Sequence, residues 1–255
     1  APIVLNMLAN APKEQQIIFN NTVEVMTAGA PPPASVLEEM SKFNFNVSHV
    51  YGLTETYGHI LLSAQQDDWS EKTITEQASL KSRQGVRFSM TEEVMVIDDF
   101  GLPVPQDGKT MGEIFIRGNT VMKGYLKDRE ATEQAFKSGY FGSGDLGVIH
   151  SDGYIELKDR AKDIIISGGE NISSVEIEKV IYQHPSVNEV AVVAMPDKKW
   201  GEVPCAFVEL TTEGGATEIE IIDFYLDKMA RLKRPKKVIF GVLPLTATGK
   251  IQKKS

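Results

Sequence analysis

Val47-Ser48-His49-Val50-Tyr51-Gly52-Leu53-Thr54-Glu55-Thr56 is the stretch on which the fold turns. Val47–Val50 is a short apolar run of strand character, and it ends in a loop carrying a glycine, two hydroxyls and a carboxylate. Upstream, Val23–Thr27 repeats the pattern and ends in Ala28-Gly29-Ala30-Pro31-Pro32-Pro33. Between the two runs, Ala34–Lys42 reads as a helix started by the proline group, because proline fits the first helical turn. Two strands that each end in a glycine-bearing loop are how an open α/β sheet presents a ligand site.

Further along, the texture changes. Glu93–Ile97, Glu113–Arg117 and Tyr154–Leu157 are short and often alternating, with turns at Asp99-Phe100-Gly101, Gln106-Asp107-Gly108 and Ser151-Asp152-Gly153. From about residue 85 to 157 this predicts antiparallel strands closing into a small barrel or curled sheet, with a short helix at Glu130–Lys137. A third region begins near Asp163. Asp163–Ile166 is strand-like and ends at Gly168-Gly169. Ser173-Ser174-Val175-Glu176 is a capping box. Ile177, Val180, Ile181 and His184 then share one helical face up to Pro185, which makes His184 a helix-end residue. Strands follow at Val187–Met195 and Val203–Thr211, a helix at Glu218–Met229 and a strand at Val238–Val242. That is a compact α+β module. The fold class is therefore α/β plus α+β, without internal repeats.

Composition sets the bounds. The 255 residues are 42% hydrophobic and 24% charged, which excludes disorder, collagen-like repeats and coiled coil. The longest apolar runs, Ile3–Leu5 and Val190–Met195, are too short for a membrane-spanning helix. One cysteine, Cys205, excludes a disulfide framework and points to a reducing, cytoplasmic setting. It stands in an alternating run and reads as a buried core thiol. The net charge of −8 argues against nucleic acid as a partner. The charge is uneven: nine Lys or Arg and no acid lie from Lys228 to Ser255, leaving 18 basic and 35 acidic residues elsewhere. Such a tail is either a solvated basic surface or a contact for an anion.

Singly, the chemistry-bearing motifs are weak. Thr54-Glu55 suits any loop, Gly144-Asp145-Leu146-Gly147 any turn, and Lys250 any solvated surface. Their order is what carries weight. Ala28-Gly29-Ala30-Pro31 comes first, then Tyr51-Gly52-Leu53-Thr54-Glu55-Thr56, then Gly112-Glu113 with Arg117-Gly118. Gly142-Ser143-Gly144-Asp145-Leu146-Gly147 follows, then Asp159-Arg160-Ala161-Lys162-Asp163 leading to Gly168-Gly169-Glu170-Asn171-Ile172. Pro244-Leu245-Thr246-Ala247-Thr248-Gly249-Lys250-Ile251 closes the set.

This series resembles the adenylate-forming superfamily of acyl-CoA synthetases, peptide-synthetase adenylation domains and luciferases, over essentially the whole chain. Among its branches it is most similar to AMP-forming short- and medium-chain fatty acyl-CoA ligases. Two features depart from the pattern. Ser143 stands where the family has Thr, keeping the hydroxyl, and the family's Ser/Thr/Gly-rich phosphate loop is not in this sequence. The resemblance therefore implies about the C-terminal half of a ligase. Residues 1–158 would be the end of the large AMP-binding domain with its barrel part, 159–163 a hinge, and 164–255 the small mobile domain.

The resemblance implies roles that chemistry supports. Adenylation joins a carboxylate to the α-phosphate of ATP, and its transition state gathers negative charge that needs cations and fixed donors. Glu55 would hold Mg²⁺ through a hard oxygen, Thr54 would donate to a phosphate, and Lys250 would bridge carboxylate and α-phosphate. Asp145 and Arg160 would take the ribose. Tyr51 would offer adenine a flat face or simply be core, and Gly29, Ala30, Pro31 and Gly52 would allow close backbone approach. Gly168 and Gly169 would pass the pantetheine arm of coenzyme A, or form a tight strand–helix turn, or both. Lys162 would be the hinge, Lys228–Lys237 would meet coenzyme A phosphates, and His59 would line the acyl pocket. Trp200-Gly201-Glu202 is similar to a small-domain loop of the family and receives no role. The expected activity is carboxylic acid plus ATP and coenzyme A to acyl-CoA, AMP and pyrophosphate, in two steps with domain rotation between them. A carrier-protein-loading adenylation enzyme and a non-catalytic folded fragment are the alternatives.

Overall fold

The computed structural model describes every residue except Ala1, Ala30, Pro31, Pro33, 212–214, Asp227, 247–250, Lys254 and Ser255, and only the backbone of Pro2, Ile3 and Ala34. The chain divides into two compact units, Ala1–Leu157 and Lys158–Ser255.

In the first unit, α1 (Pro2–Ala9), β1 (Val23–Thr27), α2 (Ala34–Lys42), β2 (Phe45–Leu53), β3 (Gly58–Leu62), α3 (Ile74–Lys81) and β4 (Val86–Arg87) follow in order. They build a four-stranded sheet in the order β1-β2-β3-β4. The β1–β2 pair is parallel, with Thr27 opposite His49, so both strands end on the same side of the sheet. The β2–β3 and β3–β4 pairs are antiparallel. Val36, Leu37 and Met40 fall on one face of α2 at helical spacing and pack with Leu5, Val47 and Ala78. The helix begins at Ala34 and β1 covers Val23–Thr27, as the sequence predicts. The second strand is longer than predicted: it continues through Tyr51, Gly52 and Leu53, so the expected loop starts only at Thr54.

A second sheet follows from β5 (Glu93–Ile97), β6 (Gly112–Arg117), α4 (Arg129–Ala135), β7 (Phe136–Lys137), β8 (Tyr140–Ile149) and β9 (Ile155–Arg160). Its order is β5-β6-β8-β7 with β9 beside β8, and the expected small barrel takes the form of a half-barrel. The predicted helix at 130–137 stops at Ala135, because Phe136 and Lys137 pair with Phe141 and Tyr140 instead. The glycines and aspartate of 142–147 lie inside β8, not in a turn. Tyr51, Ile60, Ile114, Ile116 and Phe141 share one buried cluster that joins the two sheets of this unit.

The second unit contains β10 (Ile165–Ser167), β11 (Glu170–Ile172), α5 (Ser174–Ile181), β12 (Val187–Asp197), β13 (Gly201–Leu210), α6 (Glu218–Leu226) and β14 (Lys237–Phe240). Its sheet runs β11-β10-β13-β12, with β14 parallel to β13. Ile177, Ile181, Val192, Val208, Ile221 and Tyr225 form the core beneath it. Cys205 is buried in β13, and burial raises its thiol pKa, as suits a packing thiol. Half of the predicted capping box forms. The Ser173 hydroxyl accepts from the Glu176 N–H at 3.0 Å, but the Glu176 carboxylate is taken by Lys233 at 2.7 Å. Helix α5 ends at Ile181, so His184 lies beyond it, against the ring of Phe224.

Candidate active site

The site in the first unit grows from the ends of β1 and β2. After Leu53 the chain tightens into a 3-10 turn over Thr54–Thr56. Thr56 is buried and holds the turn shut. Its hydroxyl oxygen accepts from the Leu53 N–H at 2.9 Å, and its proton can go to Leu53 O at 3.0 Å or Gly58 O at 2.8 Å. Tyr57 then takes a left-handed conformation (φ 51°), which turns the chain back into β3. This geometry leaves the Thr54 side chain exposed and Glu55 half-buried, side by side at the rim.

Gly52 has a separate reason to be glycine. A Cβ there would lie 1.9 Å from the carbonyl oxygen of Gly58 on the neighbouring strand. Close pairing of the two strands thus depends on the missing side chain. Beside it lies a cavity of about 270 Å³ lined by Ala28, Val50, Gly52, Leu53, Gly58 and His59. Gly29 sits just past β1 with φ 96°, open to its surroundings.

Tyr51 and Asp145, 94 residues apart, meet. The Tyr51 hydroxyl donates to Asp145 Oδ2 at 2.7 Å, and both residues are buried, at 8% and 3% exposure. The phenol is thus edge-bound to a carboxylate and part of the core cluster. Such a hydrogen bond is what makes a buried carboxyl group tolerable, because a polar group taken out of water without a partner is costly. Gly144 (φ 70°) kinks β8 beside it, and the Glu113 carboxylate accepts from the Gly144 N–H at 3.0 Å. The Ser143 hydroxyl accepts from the Asp145 N–H at 3.1 Å.

Two residues that sequence reasoning passed over brace Glu55. The Tyr125 hydroxyl donates to Glu55 Oε1 at 3.2 Å, and the Met122 N–H donates to the Glu55 carbonyl at 2.7 Å. Burial and the Glu55 charge together push the Tyr125 pKa up. Glu113 was visible only as part of a Gly-Glu pair, and no local signal marks Tyr125.

In the second unit, Arg160 ends β9 and Lys162 is exposed in the middle of a 3-10 turn, Ala161–Asp163. Asp159 is buried and accepts from the Ser174 N–H at 2.6 Å. Gly168 and Gly169 have φ 62° and 88° and form the two-residue turn of the β10–β11 hairpin. The strand–helix turn expected there is therefore a strand–strand turn, with β11 between it and the helix. Trp200 lies against it: a Cβ on Gly168 would meet the indole at 2.8 Å, and the Gly168 N–H donates to the Trp200 carbonyl at 2.8 Å. Lys233 is paired with Glu176 and Lys228 lies over the Phe224 ring. Ala30, Pro31 and Lys250 lie outside the described residues.

Glu55 suits a divalent cation only in company. Among the described residues no three His, Cys, Asp or Glu side chains cluster into a metal cage. Mg²⁺ characteristically uses one or two carboxylates together with substrate phosphates and water, and a rim carboxylate beside an exposed threonine fits that demand. Also among the described residues, no helix is long and apolar enough to cross a membrane.

Known proteins share this architecture. Residues 1–126 match the family model described as AMP-binding enzyme, and residues 176–250 match AMP-binding enzyme C-terminal domain. An acetate–CoA ligase of Humulus lupulus is 55% identical over 261 residues, spanning 99% of this chain and 46% of the relative. A peroxisomal acetate/butyrate–CoA ligase of Arabidopsis thaliana is 54% identical over 260 residues, with the same coverage. The chain thus spans about half the length of the curated relatives it matches. Among solved structures, the o-succinylbenzoate CoA synthetase of Bacillus subtilis with its acyl-adenylate aligns at TM-score 0.82 and 32% identity, over 97% of this chain and 48% of that one. An amide bond synthetase from Marinactinospora thermotolerans aligns at TM-score 0.82 and 28% identity, over 99% and 49%.

Proposed function

We propose, for a chain that belongs to the adenylate-forming superfamily of AMP-binding enzymes, that it is part of an AMP-forming acyl-CoA synthetase. The reaction is carboxylic acid plus ATP and coenzyme A to acyl-CoA, AMP and pyrophosphate. The observation that carries this reading is the 55% identity to an acetate–CoA ligase across 99% of the chain. Residues 1–158 belong to the large domain, 159–163 to the hinge and 164–255 to the small domain.

In the first step a carboxylate oxygen attacks the α-phosphorus of ATP and pyrophosphate leaves. Lys250 sets its ammonium charge between the two reacting anions. Thr54 donates its hydroxyl to a phosphate oxygen, and Glu55 holds magnesium. The ion, when bound, neutralises phosphate charge. Asp145, oriented by Tyr51, and Arg160 take the ribose hydroxyls. Gly29, Ala30, Pro31 and Gly52 give the nucleotide close backbone approach, and Tyr51 supports the adenine side of the site. The acyl group enters the cavity beside Gly52 and His59, whose apolar lining and size suit a short acid; the relatives' names give acetate and butyrate. In the second step the thiol sulfur of coenzyme A bonds to the acyl carbon and AMP leaves. Gly168 and Gly169 admit the pantetheine arm, basic residues of 228–237 meet the coenzyme A phosphates, and rotation at Lys162 exchanges the two arrangements. The cytoplasmic setting read from the single cysteine competes with the peroxisomal one of a relative, and organelle fractionation separates them.

The test uses a protein of the relatives' full length that carries this chain. Pyrophosphate release is measured with acids of two to ten carbons, alongside acyl-CoA formation. Lys250→Ala is expected to lose adenylation by a factor of at least about 100, as when a transition-state donor is removed, while keeping thioester formation from synthetic acyl-adenylate. Acyl transfer to a carrier protein, with none to coenzyme A, would assign the chain to a carrier-loading enzyme instead.

A further inference from the structure

We infer that Tyr125 is a positioning residue that aims the Glu55 carboxylate at the metal; this rests on the proposal that Glu55 binds magnesium. Glu55 sits in a one-turn 3-10 segment, and a glutamate there has three side-chain torsions to fix before it can serve a cation. One loop fixes the residue at both ends. The Met122 N–H holds its carbonyl at 2.7 Å, and the Tyr125 hydroxyl holds Oε1 at 3.2 Å. Oε2 accepts no hydrogen bond among the described residues. A carboxylate tied by one oxygen to a neutral donor keeps its charge and its second oxygen for a hard cation.

The loop is itself tethered. The Thr132 hydroxyl oxygen on α4 accepts from the Tyr125 N–H at 2.9 Å, and its proton goes to the Asp128 carbonyl at 2.7 Å. Gly124 allows that approach, since a Cβ on it would lie 2.7 Å from Thr132 Cγ2. Tyr125 is 39% exposed, so its ring is not placed there by core packing. What holds it is the backbone tether at one end and Glu55 at the other.

Partners that orient a metal ligand are typically worth about 10- to 100-fold in metal affinity. The test is made in the full-length protein with Tyr125→Phe, Glu55→Gln and the exposed-site control Tyr57→Phe. Mn²⁺ binding is followed by electron paramagnetic resonance in the presence of α,β-methylene ATP. Expected for Tyr125→Phe is about tenfold weaker Mn²⁺ binding, a matching rise in the Mg²⁺ concentration that half-saturates adenylation, and recovery of the rate at high Mg²⁺. Thioester formation from acyl-adenylate and the melting temperature should stay at the parent values, and Tyr57→Phe should match the parent throughout. If Glu55→Gln weakens Mn²⁺ binding but Tyr125→Phe leaves it within about twofold, far short of the expected range, the inference is overturned while the Glu55 proposal stands. If Tyr125→Phe lowers the melting temperature and both half-reactions together, the residue is structural and the inference is also overturned. Unchanged Mn²⁺ binding in Glu55→Gln removes the Glu55 proposal, and this inference with it.

Discussion

Replacing Gly52 by alanine adds one methyl group where β2 and β3 come closest. Its Cβ would lie 1.9 Å from Gly58 O, 2.6 Å from Gly58 C and 2.7 Å from His59 Cα. Comfortable contacts between carbon atoms begin near 3.5 Å, so the strands must part by more than about 1 Å. The obstacle is backbone, and β3 is held in register by β2 on one side and β4 on the other. Overpacking costs about 1–3 kcal/mol, and a backbone obstacle puts Gly52→Ala at the upper end or above. For a unit of 157 residues, each kcal/mol shifts Tm by about 2–4 °C, which gives a drop of about 6–12 °C. Circular dichroism melting of the 255-residue chain measures it, with Gly241→Ala as control because nothing lies within 4 Å of its Cβ. In the full-length protein the same shift moves the Thr54–Thr56 turn, and a displacement of about 1 Å costs on the order of 100-fold in adenylate formation. A Gly52→Ala protein that melts within about 0.5 kcal/mol of the parent, the ordinary range of surface changes, and makes adenylate normally would refute the reasoning.

Tyr51→Phe removes one donor from the buried Asp145 carboxylate and should cost about 1.5–3 kcal/mol in urea unfolding; a loss below about 0.5 kcal/mol would mean that the other partners of Asp145 suffice. Lys162→Pro in the full-length protein locks φ near −65° and should spare adenylate formation while suppressing thioester formation, with both half-reactions and a melting curve measured; a parental thioester rate would rule out the hinge role. Asp107 titrates at about 2, held down first by the Thr110 N–H, then by the Thr110 hydroxyl and the Lys109 N–H. Because its folded value is depressed, whatever stability it lends is complete above its ordinary value of 3.8 and fades as pH falls towards about 2. Thr110→Val keeps the backbone donors and should raise that value part of the way, visible in a carboxyl NMR titration; an unmoved midpoint would deny the hydroxyl its share.

The sequence by itself determined the local frame. Strand β1 and helix α2 were legible to the residue, because apolar runs, helical spacing and prolines act through dihedral preference and burial within a few residues. The turn glycines Gly29 and Gly168-Gly169 were legible for the same reason, whereas the glycines of 142–147 lie inside β8. Gly52 misled: it reads as part of the loop after the strand, whereas it lies inside β2 and serves the close approach of β3, a strand whose pairing no local pattern announces. The capping box misled by half, because Lys233, 57 residues on, outbids the helix end for Glu176. Only the tertiary structure brought Tyr51 to Asp145 across 94 residues and Tyr125 to Glu55 across 70. Those meetings follow from how the strands of the first unit register and which loops their ends carry. A side chain's residue type shows that it can donate or accept, but the partner it finds is set by chain segments that become neighbours only when the sheets assemble.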